Sequence, residues 1–160
     1  MTDIRVGLGF DAHALETGVP LVLGGVPLDY PRGLAGHSDG DVIAHALIDA
    51  LLGAANLGDI GSLFPSDDEQ YRGASSLDLL WEAYREVRES GWELVNADCV
   101  FIGEEPRIGG VRDEMCERLA GALGVERGRV TVRATTTDGL GFTGRGEGLA
   151  AQAVALLRRS

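Results

Sequence analysis

The chain has 160 residues, 44% of them hydrophobic, and a formal net charge of -11. That length and apolar content suit one domain with a real core, spanning residues 1–160, and leave little room for two. A surface this acidic argues against DNA or RNA as a partner, because binding the phosphate backbone relies on basic patches. No stretch approaches the roughly 18 apolar residues of a membrane span. The opening MTDIRVGLGF lacks a basic region followed by a long apolar run, so a soluble, cytoplasmic protein is expected. Cys99 and Cys116 form no CxxC, which points to two free thiols rather than a disulfide scaffold or a thiolate zinc site. All 14 basic residues are arginine, so no lysine is available as a base or Schiff-base former. A phosphorylated ligand would need local countercharge from metal ions, arginine or helix N-termini.

Taken in chain order, Ile4, Val6 and Leu8 alternate with Arg5, Gly7 and Gly9, which reads as a strand. LVLGGVPL, Leu21 to Leu28, reads as a second strand with a Gly-Gly bend that suits a hairpin. After the polar loop LAGHSDGD, a helix is predicted from about Asp41 to Ala55, its apolar stripe formed by Val42, Ala46, Leu47, Ala50 and Leu51 and its start capped by Ser38 or Asp39. Leu57 to Gly73 is a long irregular loop, which Ile60, Leu63 and Phe64 mark as ordered. Leu77, Leu80, Trp81, Tyr84 and Val87 have helical spacing, with Ser75 and Asp78 resembling a capping box, Gly91 as a stop and the aromatics in the core. A strand from Glu93 to Ile102 follows, then a helix carrying Val111, Met115, Leu119 and Ala122 that ends at Gly124. Arg129 to Thr137 alternates as a strand, and Glu147 to Arg158 reads as a closing helix. The expected class is α+β, with a mixed sheet and helices packed mainly on one face.

Three segments carry chemistry. All three histidines, His13, His37 and His45, fall in the first third of the chain beside carboxylates. On an extended chain Asp11 and His13 project to the same side, and His45 lies about one turn into the following helix. Together they supply one oxygen and two nitrogen ligands, which suits zinc with one position open. Any single histidine is more often a hydrogen-bonded surface or core residue. RATTTDGLGFTGRGEG, Arg133 to Gly148, offers hydroxyls and bare amides that can cradle phosphate, with Arg133 and Arg145 adding charge and Asp138 available for magnesium. The same composition suits a Gly-rich turn that caps a helix. GDIG and FPSDDE, within Gly58 to Glu69, can meet the hydroxyls of a polyol or form a solvated acidic loop.

In order, GFDAH, LGGV, GHSDGDVIAHALIDALLGAANLGDIGSLFP and RATTTDGLGFTGRGEG resemble the 2-C-methyl-D-erythritol 2,4-cyclodiphosphate synthases over nearly the whole chain. The resemblance implies a single catalytic domain of the non-mevalonate isoprenoid pathway. Such enzymes convert 4-diphosphocytidyl-2-C-methyl-D-erythritol 2-phosphate to the cyclic diphosphate plus CMP. It implies zinc on Asp11, His13 and His45, and magnesium or manganese with the diphosphate at Asp138. His37 and Thr136 would steady transition-state charge. Ser38, Asp59, Ile60, Gly61, Phe64 and Asp68 would bind the polyol phosphate. Gly103, Glu104, Glu105, Pro106 and Arg107 would form the cytidine pocket, with Thr135 and Thr137 on the diphosphate.

It further implies a homotrimer whose sheets face the threefold axis and whose active sites lie between subunits. Phe142, Arg145 and Glu147 match the lining of a central cavity that takes an isoprenoid diphosphate in some members. Arg145 and Glu147 equally suit an interface ion pair. Asp138 stands where the family usually has Glu, Gly139 where Lys is frequent and Ser66 where Asp is common. EEPR, Glu104 to Arg107, is more acidic than usual. Two other readings share these residues: a zinc-dependent phosphatase of broad substrate range, and a non-catalytic isoprenoid diphosphate store.

Overall fold

The computed structural model describes residues 3–160. The first strand, β1 (Ile4–Thr17), runs on well past the alternating segment that announces it. Its partners complete a five-stranded sheet ordered β4 (Arg32–Leu34), β1, β7 (Gly148–Arg159), β5 (Trp92–Ile102) and β6 (Val130–Thr135). Only β5 and β6 pair in parallel; the other neighbours are antiparallel, so the sheet is mixed as expected. The Gly-Gly bend makes a separate hairpin of β2 (Leu21–Leu23) and β3 (Val26–Leu28), with Gly24 and Gly25 both at positive φ as a two-residue turn requires.

One face of the sheet is covered by α1 (Val42–Ala54), α3 (Ser76–Glu89) and α4 (Arg112–Leu123), with α1 lying across β1 and β7. Nearly every side of α1 is buried, which marks it as the central helix of the domain. Its closeness to β1 comes from Gly7 and Gly9. A Cβ on Gly7 would lie 1.9 Å from the Ala50 carbonyl oxygen, so a larger residue would hold the helix off the sheet. The other face of β1 is open, and Ile4, Val6, Leu8 and Phe10 are all exposed there. No helix is long and apolar enough to cross a membrane.

The structure corrects four expectations. Residues 148–159 form the central strand β7, not a closing helix. Ala151, Ala153 and Ala155 are buried on the helix-covered face, while Gln152 and Val154 point to the open one, so the operative period is 2. Asp41, not Ser38 or Asp39, caps α1, accepting from the backbone N–H groups of Ile43 and Ala44. Ser75 stands at the N-cap of α3 without a side-chain cap bond; Asp39 reaches across instead and accepts from the Ser76 N–H at 2.9 Å. Trp81 lies outside the core with the Arg85 guanidinium over its ring, whereas Tyr84 is buried and its hydroxyl accepts from the Leu94 N–H.

The irregular loop holds a one-turn helix, α2 (Ile60–Leu63), and Phe64 packs its ring edge-on against Tyr71. Another short helix, α5 (Gly141–Gly144), precedes β7. Both cysteines are buried and free, and burial pushes the Cys99 thiol up to about 12, which keeps it from acting as a thiolate nucleophile.

Candidate metal centre and substrate clefts

Asp11 and His13 sit on the helix-covered face of β1, in register with Ala151 and Leu149 of β7. His45 enters from the first turn of α1, its N–H bonded to the Asp41 carbonyl. The ligand atoms of the three residues all lie within 4.8 Å of one another, the one such metal-ligating cluster among the described residues. Asp11 Oδ2 is the meeting point, 3.0 Å from His13 Nε2 and 3.1 Å from His45 Nδ1. His13 Nε2 is buried yet makes no hydrogen bond, because its approach to Asp11 is not aligned for one. A buried nitrogen facing a carboxylate and a second imidazole, unpaired, is the donor set of a divalent cation with mixed nitrogen and oxygen ligands. The residues therefore fit a metal ion, and the fit rests on their geometry alone.

Charge follows the same arrangement. Burial pushes the Asp11 carboxyl up, but His13 and His45 outweigh it and hold the group below its ordinary value. His13 is raised, chiefly by the Asp11 carboxylate against the opposing cost of burial.

The cluster opens on a cavity of about 540 Å³ lined by Asp11, His13, His45, His37, Ser38 and the Ile60–Asp67 side. His37 donates from Nε2 to the Asp68 carbonyl oxygen at 2.8 Å, which ties the histidine loop to the loop after α2. Asp59 caps α2 by accepting from the Ser62 N–H, in a capping box. Ile60, Gly61 and Phe64 line the cavity. The acid that anchors this turn was not legible as such: Asp49, on α1, accepts from the Ile60 N–H at 2.7 Å. Its position one turn after His45 was the available signal.

A second cleft of about 290 Å³ gathers Gly103, Glu104, Pro106 and Arg107 with Thr135 and Thr136. Glu105 turns away, toward a smaller pocket shared with Arg145. Gly139 donates its N–H to Glu104 at 2.7 Å, so the Gly-rich turn and the EEPR loop are joined. Thr136 bonds Asp138, and Thr137 donates to the Leu140 carbonyl and meets Thr143. Arg133 is not part of this cradle. It forms a two-pronged pair with Asp98 on the open face of the sheet. Arg145 pairs with Glu147 in the same way, while Phe142 stands partly exposed nearby. His37 and Thr136 therefore lie in different clefts of one chain.

The model of the YgbB family matches residues 4–158. The chain belongs to the YgbB family. It is 58% identical to the 2-C-methyl-D-erythritol 2,4-cyclodiphosphate synthase of Moorella thermoacetica over 96% of this chain and 94% of that protein. Among solved structures, a 2C-methyl-D-erythritol-2,4-cyclodiphosphate synthase in its CDP-bound form superposes with a TM-score of 0.87 at 40% identity, covering 96% of this chain and 99% of that one. The bifunctional IspDF of Campylobacter jejuni gives a TM-score of 0.96 at 43% identity; it covers all of this chain, which spans 43% of that longer protein. This YgbB-family chain thus shares the mixed α+β architecture of its relatives from end to end.

Proposed function

We propose that this chain cyclises 4-diphosphocytidyl-2-C-methyl-D-erythritol 2-phosphate to 2-C-methyl-D-erythritol 2,4-cyclodiphosphate and releases CMP. The carrying observation is that a three-ligand metal set opens on the same cavity as His37, Ser38 and the α2 turn, in a chain whose relatives bear that synthase's name. An oxygen of the 2-phosphate bonds to the β-phosphorus, and the bond from that phosphorus to the CMP oxygen breaks. No water is consumed. Such a transfer depends on positioning and charge neutralisation more than on covalent catalysis.

Zinc held by Asp11, His13 and His45 would supply a Lewis acid for a phosphate oxygen. The remaining work falls to the chain. His37, fixed by the Asp68 carbonyl, holds charge beside the polyol phosphate together with Ser38. Asp59 uses one carboxylate oxygen for its cap and leaves the other for a substrate hydroxyl, next to Ile60 and Gly61. Phe64 and the loop to Asp68 close over that side. Gly103 to Arg107 receives the cytidine, Thr135 and Thr137 the diphosphate, and Thr136 the transition-state charge. Asp138 would hold magnesium or manganese, which would neutralise charge on the diphosphate.

Because His37 and Thr136 occupy separate clefts, this reading calls for a second subunit to bring them onto one substrate. The exposed apolar row Ile4, Val6, Leu8 and Phe10 supports association through this face, and the family resemblance makes the assembly a homotrimer with the sheets on its axis. Phe142, Arg145 and Glu147 would then line the axis, as an ion pair between subunits or as the site of an isoprenoid diphosphate. A cytoplasmic single-domain enzyme is part of the same reading.

Phosphorus NMR tests it. Incubation with the diphosphocytidyl substrate, zinc and magnesium should yield a cyclic diphosphate and an equal amount of CMP. Inorganic phosphate instead would favour the phosphatase, and no turnover by a folded, metal-loaded protein would favour the store.

A further inference from the structure

Both ring nitrogens of the nearly buried His45 are engaged, and the side away from Asp11 decides the other. Nε2 lies 2.8 Å from Ser76 Oγ and 3.0 Å from Ser38 Oγ. Ser76, fully buried at the start of α3, is also in close contact through its hydroxyl with Asp39 Oδ1. Asp39 accepts in addition from the backbone N–H of Ser76 at 2.9 Å and of Asp41 at 3.1 Å. A carboxylate only accepts, and a hydroxyl carries one proton. The Ser76 proton is committed to Asp39, so Ser76 Oγ can only accept from His45. A neutral His45 ring that keeps this bond carries its hydrogen on Nε2; the other tautomer would break it, with Ser38 donating to Nε2 and Nδ1–H donating to Asp11 Oδ2 at 3.1 Å.

The geometry points to Ser76 and Asp39 as positioning residues that fix this tautomer and turn an unprotonated Nδ1 toward the metal cluster. The inference rests on reading Asp11, His13 and His45 as metal ligands. Its consequence there is specific. With the hydrogen on Nε2, the Nδ1 lone pair meets Asp11 Oδ2 at 3.1 Å in place of the bond an Nδ1–H would donate, and the unpaired His13 Nε2 meets the same oxygen at 3.0 Å. Electron pairs converge before any ion arrives. Outer partners of this kind orient a histidine ligand and raise its basicity. Here the acid acts through a serine, and the serine comes from another helix, so the seating of α3 is built into the metal centre.

The experiment has two readouts. Long-range proton–nitrogen correlation on the metal-free protein, at a pH where His45 is neutral, should show the Nε2–H tautomer. In Ser76→Ala and in Asp39→Asn, whose amide can donate to Ser76, the Nδ1–H tautomer should gain. Zinc affinity by competition with a chromophoric chelator should fall about 10–100-fold in Ser76→Ala. An Nδ1–H tautomer in the unaltered protein overturns the proposal, and should Ser76→Ala fail to fold, that spectrum decides alone. A folded Ser76→Ala with unchanged tautomer and zinc affinity also overturns it, while loss of zinc in Asp11→Ala would leave the metal reading standing. Failure of the unaltered protein to bind zinc overturns both.

Discussion

A β-carbon on Gly9 would lie 1.9 Å from the carbonyl oxygen of Ala46. Ala46 follows His45 directly, so the gap left by a missing side chain sets how near the helix ligand comes to the two strand ligands. Gly9→Ala would force backbone against backbone, where no rotamer change gives relief. Overpacking of this kind costs roughly 1–3 kcal/mol. The variant should melt several degrees lower, and zinc affinity should fall although no ligand has changed. Thermal melts with and without zinc check both.

His45→Ala removes one of the three proposed metal ligands and leaves a small cavity. It should retain the fold, lose tightly bound zinc and abolish CMP release. Metal analysis after dialysis, paired with a CMP assay, reads the two effects. Full activity in this variant would refute the ligand assignment.

The pH dependence should change sign with metal. In the metal-free protein the raised His13 holds its proton more tightly than in the unfolded chain. Its contribution is complete below the unfolded value of 6.5 and is lost as pH rises through the folded value. Asp11 is shifted the other way, so its contribution stands above 3.8 and is lost as pH falls below it. Zinc needs a neutral His13, so its stabilisation should grow with pH across the window in which the metal-free protein weakens. Melting temperatures from pH 5.5 to 8.5, in chelator and in zinc, should slope in opposite directions.

Asp49→Ala severs the bond that anchors the start of α2 to α1. Such a charge-assisted bond contributes roughly 1.5–3 kcal/mol, so KM for the substrate should rise about tenfold or more. Zinc content should be unchanged. Loss of zinc would place Asp49 in the metal centre instead.

Leu8 is 63% exposed in the single chain, so Leu8→Asp should spare the fold. In a trimer it would set three carboxylates on the shared face. Light scattering should then report a monomer that binds zinc and releases no CMP. An intact, active trimer would show that this face is not the contact.

Much of the site was legible because its signals are local. Asp11 and His13 need only an extended chain, and His45 only a helix start. The fold was less legible where packing overrides local preference. GLAAQAVALLRR has the alanine content of a helix, yet its alanines are small because α1 lies on them, and antiparallel neighbours on both sides hold it extended. Asp41 outcompetes its neighbours as the cap because its carboxylate also accepts from the Gly24 and Gly25 N–H groups of the β2–β3 hairpin. That burial pushes its carboxyl up to about 6. Ser76 gives no sequence signal; it matters only because α3 packs against the histidine loop.

The first strand carries two messages on one backbone. Odd positions, Gly7 through His13, face α1 and the ligands; even positions, Ile4 through Phe10, face outward. With a side-chain period of 2, deleting one residue upstream of Asp11 would exchange the two sets, sending glycines outward and leucine into the helix seam. In the proposed trimer, parity would tie the candidate metal ligands to the contact face. A slip would not produce an inactive oligomer or an active monomer, but a chain that has lost both, and one with no intermediate form worth retaining.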